Sequence, residues 1–223
     1  AALLGFYRAG DASGGFETGI QKGLFAILAG TNFLYRTEPE APPADVEPGE
    51  AYEITDLELA SRLAFFLWSQ GPDEELLALA ENNRLREPAV YAQQVERMLA
   101  DPRSKTLVTN FAFQWLDLRG IADIAPDPTL FPEFNSDLGN DFVTELELFL
   151  ASVLLEDRSV LDLLRADHTF VNERLALHYG ISEVRGDRFR RVTLQDSNRW
   201  GLLGKGGILM ATSYPNRTAP VLR

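Results

Sequence analysis

The sequence has no cysteine, only two histidines, and no apolar run of the roughly 18–20 residues that a membrane-spanning helix needs. Without cysteine, its 223 residues exclude disulfides, thiolate catalysis, zinc–cysteine sites and Cys-x-x-Cys-His haem attachment. Walker, nucleophile-elbow and Rossmann motifs are also missing, as is the Glu-x-x-His motif of di-iron bundles. The sequence therefore predicts no transmembrane segment, no metal site and no cofactor site within this chain.

Basic residues are in the minority, with 21 lysines and arginines against 33 acidic residues, for a net charge of −12. Because a negative surface repels phosphate backbones, we predict that nucleic acid is not a partner. A basic protein partner would be attracted, and its binding should weaken as salt rises. The balance of 45% apolar and 24% charged residues is typical of a globular protein.

Helical spacing of apolar residues dominates and predicts an all-α fold, a multi-helix bundle of about seven to nine helices. At most a short strand or hairpin is expected near 188–194, where apolar and polar residues alternate. We divide the chain into an N-terminal helix and a linker rich in proline and acid (1–53), a central helical domain (54–180), and the start of a truncated C-terminal domain (181–223). Both ends are expected to be cuts in a longer chain.

Local signals mark where several helices begin and end. Thr55 and Glu58 form a capping box. Asp73 caps the next helix, and Ser136 is predicted to cap a long helix that ends near Glu156. The sequence also predicts helices over 16–36, 102–118, 169–179 and 202–212, with Gly180 ending the third of these four in the left-handed conformation (positive φ).

Acidic residues at helical spacing are the first candidates for chemistry. Asp141 and Glu145 can share one face of a predicted helix. Glu173 and His178 both lie on a later predicted helix, where their spacing allows them to reach each other. Paired carboxylates can transfer protons or bind a hard cation. In a chain with 33 acidic residues, solvated surface charge is the commoner outcome for such pairs, and the sequence favours it.

If the chain is an enzyme, its candidate catalytic residues are Glu145, Glu173, His178 and Arg217, with Arg62 as electrostatic support. This hypothesis requires the groups to converge in one cleft with a raised carboxylate pKa. The structural alternatives are that His178 is a cation at a helix C-terminus and that Arg62 points inward to a buried acid.

The remaining histidine, His168, is predicted to be a surface or capping residue, because it lies where a helix is expected to begin.

Six ordered blocks of sequence resemble one family of bacterial proteins. The blocks lie at 30–36, 59–69, 72–73 with 94–102, 113–116, 170–180 and 212–223. They are similar to the adjoining domains of unknown function 1595, 1592 and 1588, which occur in large secreted proteins that often carry a c-type haem domain. The resemblance implies an extracytoplasmic protein, periplasmic or secreted, with any haem domain preceding this segment and with further chain after Arg223. It implies no reaction.

Three functional hypotheses follow. The first is a non-catalytic helical docking module that binds a protein partner or a neighbouring haem domain. The second is an enzyme that acts on an extracellular polymer or a small organic substrate through a carboxylate and histidine site. The third is an accessory subunit of a membrane-associated assembly, for which an exposed apolar patch would be the sign.

Overall fold

The computed structural model describes residues 2–35 (without the side chain of Asn32), 46–47, 49–219 and 221. The chain divides into two compact units, one ending at Ile54 and one beginning at Thr55. The fold is mainly helical, and the described residues contain two small two-stranded sheets. The predicted all-α class is confirmed.

The first unit is built on α1 (Ala2–Leu28), followed by α2 (Thr31–Leu34). Gly14 and Gly15 interrupt α1 with non-helical backbone, and Gly19 lies so close to Tyr7 that an added Cβ would be 2.7 Å from its ring. Gly19 therefore permits a close approach between the two parts of α1. The start predicted at residue 16 agrees with the break at Gly14 and Gly15, after which the second part of α1 begins. The continuous helix predicted from there to residue 36 was wrong in its extent, because α1 ends at Leu28 and α2 is a separate turn; residue 36 lies outside the described residues.

The predicted linker of this unit is only partly described. Residues 38–45 and 48 lie outside the described residues. Residues 46–47 and 49–53 contain no helix or strand.

The second unit opens with α3 (Asp56–Trp68), α4 (Glu74–Glu81) and α5 (Pro88–Ala100). The capping box is confirmed, since Thr55 N donates to Glu58 (2.6 Å) and Glu58 N donates to Thr55 Oγ1 (3.2 Å). Asp73 caps α4 as predicted. The three helices share a core in which the indole of Trp68 donates to the carbonyl of Met98 (2.9 Å).

One regular helix was predicted over 102–118, but three shorter pieces are found. They are a 3-10 helix (Pro102–Lys105), a π-helix (Leu107–Ala112) and α6 (Phe113–Trp115). The hydrogen-bond pattern changes at Thr106, which keeps a right-handed helical backbone and whose hydroxyl donates to the carbonyl of Arg103 (2.9 Å). Such side-chain bonds to the backbone compete with the regular helical pattern. A 3-10 turn (Ile121–Asp123) follows.

The longest helix of the second unit, α7 (Ser136–Leu154), lies at its centre. Its cap is Asn135, which accepts a hydrogen bond from Leu138 N (2.9 Å), and not Ser136 as predicted. Asn135 has the extended backbone that a cap requires. α7 supplies Leu146 and Phe149 to one core cluster and Phe142 to another, so it separates and supports both.

After α8 (Asp162–Arg165), the strand β1 (His168–Val171) pairs antiparallel with β2 (Arg190–Thr193). β2 confirms the strand predicted near 188–194. The helix predicted over 169–179 was wrong in its first part, because β1 occupies that part and Asn172 caps the shorter α9 (Glu173–His178). The positive φ predicted at Gly180 is confirmed (75°).

The chain continues through 3-10 turns (Ser197–Arg199 and Leu202–Gly204), α10 (Gly206–Ala211) and a hairpin of β3 (Ser213–Tyr214) and β4 (Arg217–Thr218). The predicted last helix therefore starts four residues later than expected. α10 lies close against α7, since a Cβ at Gly206 would be 2.3 Å from the ring of Phe142. No helix of the described residues is both long and apolar enough to cross a membrane.

Candidate functional site

Glu145, the first predicted site residue, is completely buried on α7. Its carboxylate accepts hydrogen bonds from the hydroxyls of Thr169 and Tyr179, the latter at 2.6 Å. The phenolic oxygen of Tyr179 in turn accepts from Gly206 N (2.8 Å). Burial raises the pKa of Glu145 despite these donors, and burial also raises the pKa of Tyr179. The phenol therefore keeps its proton and remains the donor.

The buried basic residue of this region is Lys205, which is 1% exposed. Its Nζ donates to the carbonyl of His168 (3.0 Å) and lies 4.5 Å from the ring centroid of Phe149. Burial lowers the pKa of Lys205 to about 8, although the charge of Glu145 acts in the opposite direction. Glu145, Thr169, Tyr179 and Lys205 together form a buried polar cluster that ties α7, β1, α9 and the start of α10 together.

The second buried acid is Asp141, one turn before Glu145 on α7. It accepts from Arg174 Nε (2.6 Å) and from Asn172 Nδ2 (2.8 Å). The prediction that Asp141 and Glu145 are solvated surface charge is wrong for both. Their helix packs in the middle of the unit, so the face they share turns toward β1 and α9.

His168 is also buried, at 4% exposure, and the prediction of a surface or capping role is wrong. It belongs to a strand, and its Nε2 lies 3.0 Å from both Ser152 Oγ and an Arg191 amino nitrogen. Because the arginine can only donate, Nε2 is the acceptor and the imidazole is neutral. Burial, followed by the charge of Arg191, lowers the pKa of His168 to about 4.

This neutral histidine should make the fold sensitive to acid. Between pH 6.5 and pH 4 the unfolded chain binds a proton at this residue and the folded chain does not, so stability falls as pH falls. Between pH 7 and pH 5 we expect a loss of about 2 kcal/mol that is absent from His168→Gln. Urea unfolding at the two pH values measures it. His178→Gln is the control: burial lowers the pKa of His178 as well, so this variant should lose only that residue's smaller share and keep the larger loss that belongs to His168. A loss in His168→Gln equal to that of the unchanged chain would contradict the assignment.

An open cavity of about 530 Å³ lies beside the buried cluster. It is bounded by the 124–134 loop, α7, the end of α9, α10 and the β3–β4 hairpin. Its wall is mainly apolar, with side chains that include Leu130, Phe131, Phe134, Leu138, Phe142 and Met210.

One arginine, Arg199, contributes to this mainly apolar wall. It is half-buried, and its guanidinium carbon lies 4.5 Å from the ring centroid of Tyr179. Among the described residues its guanidinium has no hydrogen-bond or ion-pair partner. As far as the described part of the chain goes, its five N–H donors are therefore available to a group that enters the cavity.

The other predicted site residues are only partly brought together. His178 lines the cavity and also a neighbouring groove of about 470 Å³, which Glu173 shares. Glu173 accepts from Gly186 N (2.6 Å) and lies 3.8 Å from Arg185. Arg217 is exposed on β4, with its guanidinium 4.6 Å from the ring centroid of Tyr214. Arg62 is also exposed, so the prediction that it points inward is wrong.

A comparison with family models decides the classification. The model of PSD4, a protein of unknown function (DUF1592), matches residues 54–181, which is more than half of the chain. The chain belongs to the DUF1592 family. No curated protein and no solved structure gives a significant match. The DUF1592 part of the resemblance is thereby confirmed.

The DUF1592 segment supplies only part of the site. Glu145, Thr169 and Tyr179 lie within it, whereas Lys205 and Arg199 come from the chain that follows. Sequence reasoning missed both of these basic residues. The one local sign was the glycine-rich stretch 201–207, whose small residues allow Lys205 to enter the core.

No group of three or more His, Cys, Asp and Glu side chains in the described parts of the chain is placed to hold a metal ion.

Proposed function

We propose that this DUF1592 chain is a non-catalytic binding module of a larger extracytoplasmic protein, and that the cavity beside Arg199 is its binding site. The observation that carries the proposal is a half-buried guanidinium, without a partner among the described residues, in a mainly apolar wall. Cavities of roughly 300–1,000 Å³ with apolar walls and a few polar groups are typical of small-molecule sites. The volume of about 530 Å³ is within that range.

The arrangement of Glu145 supports binding over catalysis. A general acid or base must reach the substrate within hydrogen-bond distance or through one water. Glu145 is completely buried, and Thr169 and Tyr179 occupy its two oxygens. It does not line the cavity, so the cavity offers a surface for binding without an accessible carboxylate from this cluster.

One observation favours the enzyme alternative. Burial raises the pKa of Glu145, as that hypothesis required, and His178, the residue before Tyr179 in the chain, lines the cavity. An enzyme of this kind would need the Tyr179 hydroxyl to move away from Glu145. Tyr179→Phe would then raise turnover of a substrate, whereas under our proposal it changes only stability.

The binding role is tested by titration with N-phenyl-1-naphthylamine, a neutral dye whose fluorescence rises in apolar surroundings. We expect saturable binding of one dye per chain, and Leu130→Trp should weaken it by placing a large ring at the cavity wall. Leu130 is 55% exposed, so the variant should remain folded. Leu164→Trp, at a position that is 65% exposed and outside the wall, is the matched control. Binding that is absent, or that Leu130→Trp leaves unchanged, would contradict the proposal.

The association with a c-type haem protein rests on the resemblance of the flanking blocks to domains 1595 and 1588. The net charge of −12 supports docking of a basic partner domain. Purification from the native source tests this part: a mass above 24.8 kDa with a Soret band is expected. A mass of 24.8 kDa without a chromophore would contradict it.

A further inference from the structure

Building on the proposed function, we infer that the cavity binds organic monocarboxylates with an apolar body, and that Arg199 pairs with the carboxylate. Three features of the wall lead to this ligand class: a guanidinium with no hydrogen-bond or ion-pair partner among the described residues, the balance of charges around it, and the apolar side chains that line the same cavity.

The charge balance selects an anion. Apart from one tyrosine, the ionisable side chains of the wall are Arg199, His178 and Glu133. Glu133 is exposed and also lines the neighbouring groove, which places it at the rim. Arg199 is half-buried beside the aromatic ring of Tyr179, where its charge is less screened by water. Behind the wall, Glu145 and Lys205 are close enough for their charges to interact with Arg199, and these two opposite charges offset each other. The deeper part of the wall therefore carries a net single positive charge.

A single guanidinium favours a carboxylate over a phosphate. Its planar pair of N–H donors matches two coplanar oxygens in a bidentate contact. A phosphate monoester brings close to two negative charges and three acceptor oxygens, for which the wall provides one arginine and an acid at the rim. The charge and the donor geometry both fit a monocarboxylate.

The body of the ligand must be apolar. Leu130, Phe131, Phe142 and Met210 form much of the surface around Arg199, and none of these side chains can satisfy a buried polar group with a strong hydrogen bond. Each methylene that leaves water contributes about 0.8 kcal/mol, roughly a fourfold gain in affinity. A linear carboxylate should therefore bind more tightly as its chain lengthens, until the cavity is full.

Isothermal titration with octanoate and with octanol, its neutral counterpart, separates the two contributions. Because hydrogen bonds to a charged group contribute strongly to the binding free energy, octanoate should bind roughly 10- to 100-fold more tightly than octanol. Hexanoate should bind roughly 15-fold more weakly than octanoate, because it lacks two methylenes.

Arg199→Gln should reduce octanoate binding roughly 10- to 100-fold, to the level of octanol, and leave octanol binding unchanged. Arg165→Gln is the matched control, since Arg165 is exposed and does not line the cavity. Thermal unfolding of each variant confirms that it is folded. Arg199→Lys keeps the charge without the planar donor pair, so it should restore only part of the affinity.

Three results would overturn the inference. If octanol binds as tightly as octanoate and Arg199→Gln changes neither affinity, the cavity binds apolar ligands without carboxylate recognition, and the proposed function stands. If octyl phosphate binds more tightly than octanoate, the anion is a phosphate. If octanoate, octanol and the neutral dye all fail to bind, the proposed function itself is wrong.

Discussion

Glu145→Ala is expected to lower the free energy of unfolding by about 3–5 kcal/mol, because it breaks a buried charged cluster by removing one member. The change leaves the hydroxyls of Thr169 and Tyr179 without their acceptor and takes away the negative charge that favours protonated Lys205. Each of these groups is held inside the unit, so water cannot replace the carboxylate without opening the core. Urea unfolding at pH 7 measures the loss.

Glu147→Ala is the matched control for this prediction. Glu147 lies two positions further along α7 and is half-buried, so its removal should change the free energy of unfolding by no more than about 0.5 kcal/mol. A second comparison uses Glu145→Leu combined with Lys205→Met. Replacing both charges by apolar groups should cost less than the sum of the single changes. Equal losses for Glu145→Ala and Glu147→Ala would show that the cluster does not stabilise the fold.

Gly201→Ala is expected to destabilise the second unit by about 3–5 kcal/mol, the sum of backbone strain and steric overlap. Gly201 has φ 61° and ψ −170°, a combination that is open essentially to glycine alone. A Cβ at this position would lie 2.4 Å from the carbonyl carbon and oxygen of Leu164, and neither backbone atom can move freely. Because the turn at Gly201 brings Lys205 into the core, the variant should also weaken ligand binding at the adjacent cavity.

Gly186→Ala separates the two causes. Gly186 also has a positive φ (80°), but no atom lies within 4 Å of the position that a Cβ would take. We expect a loss of about 1–2 kcal/mol there, from the backbone conformation alone. Thermal or urea unfolding of the two variants gives the difference. If both lose the same amount, the overlap with Leu164 contributes nothing and the close packing of this turn is not required.

The features that sequence reasoning found correctly are those that depend on neighbours a few residues apart. The capping box of Thr55 and Glu58, the cap at Asp73 and the left-handed Gly180 each involve contacts within one or two turns of helix. The periodic apolar residues of α3 and α7 likewise determine a mainly helical fold, because one face of each helix must leave water. The local sequence therefore contains all the information that such short-range features need.

The first part of the predicted helix over 169–179 shows where local signals fail. His168–Val171 could form the start of that helix by its own pattern, yet these residues pair with Arg190–Thr193, about twenty residues later in the chain. Each strand of the pair is stabilised by contacts with the other, so the sequence of one segment alone does not determine whether it forms a strand. The burial of His168 is a consequence of that pairing.

The candidate site was determined at still longer range. Glu145 and Asp141 are ordinary helix acids by sequence, and only contacts with residues 24 to 34 positions away make them buried. Lys205 and Arg199 belong to no recognised sequence motif. Lys205 becomes buried because four neighbouring glycines let the chain pass close to α7 and α8. Arg199 faces a cavity that five separate segments enclose. The sequence by itself thus determined the helical class and the starts of α3 and α4, since these depend on local hydrogen bonds and periodic burial. The tertiary structure decided which charges lost water and which guanidinium remained available, because desolvation depends on distant segments meeting in space.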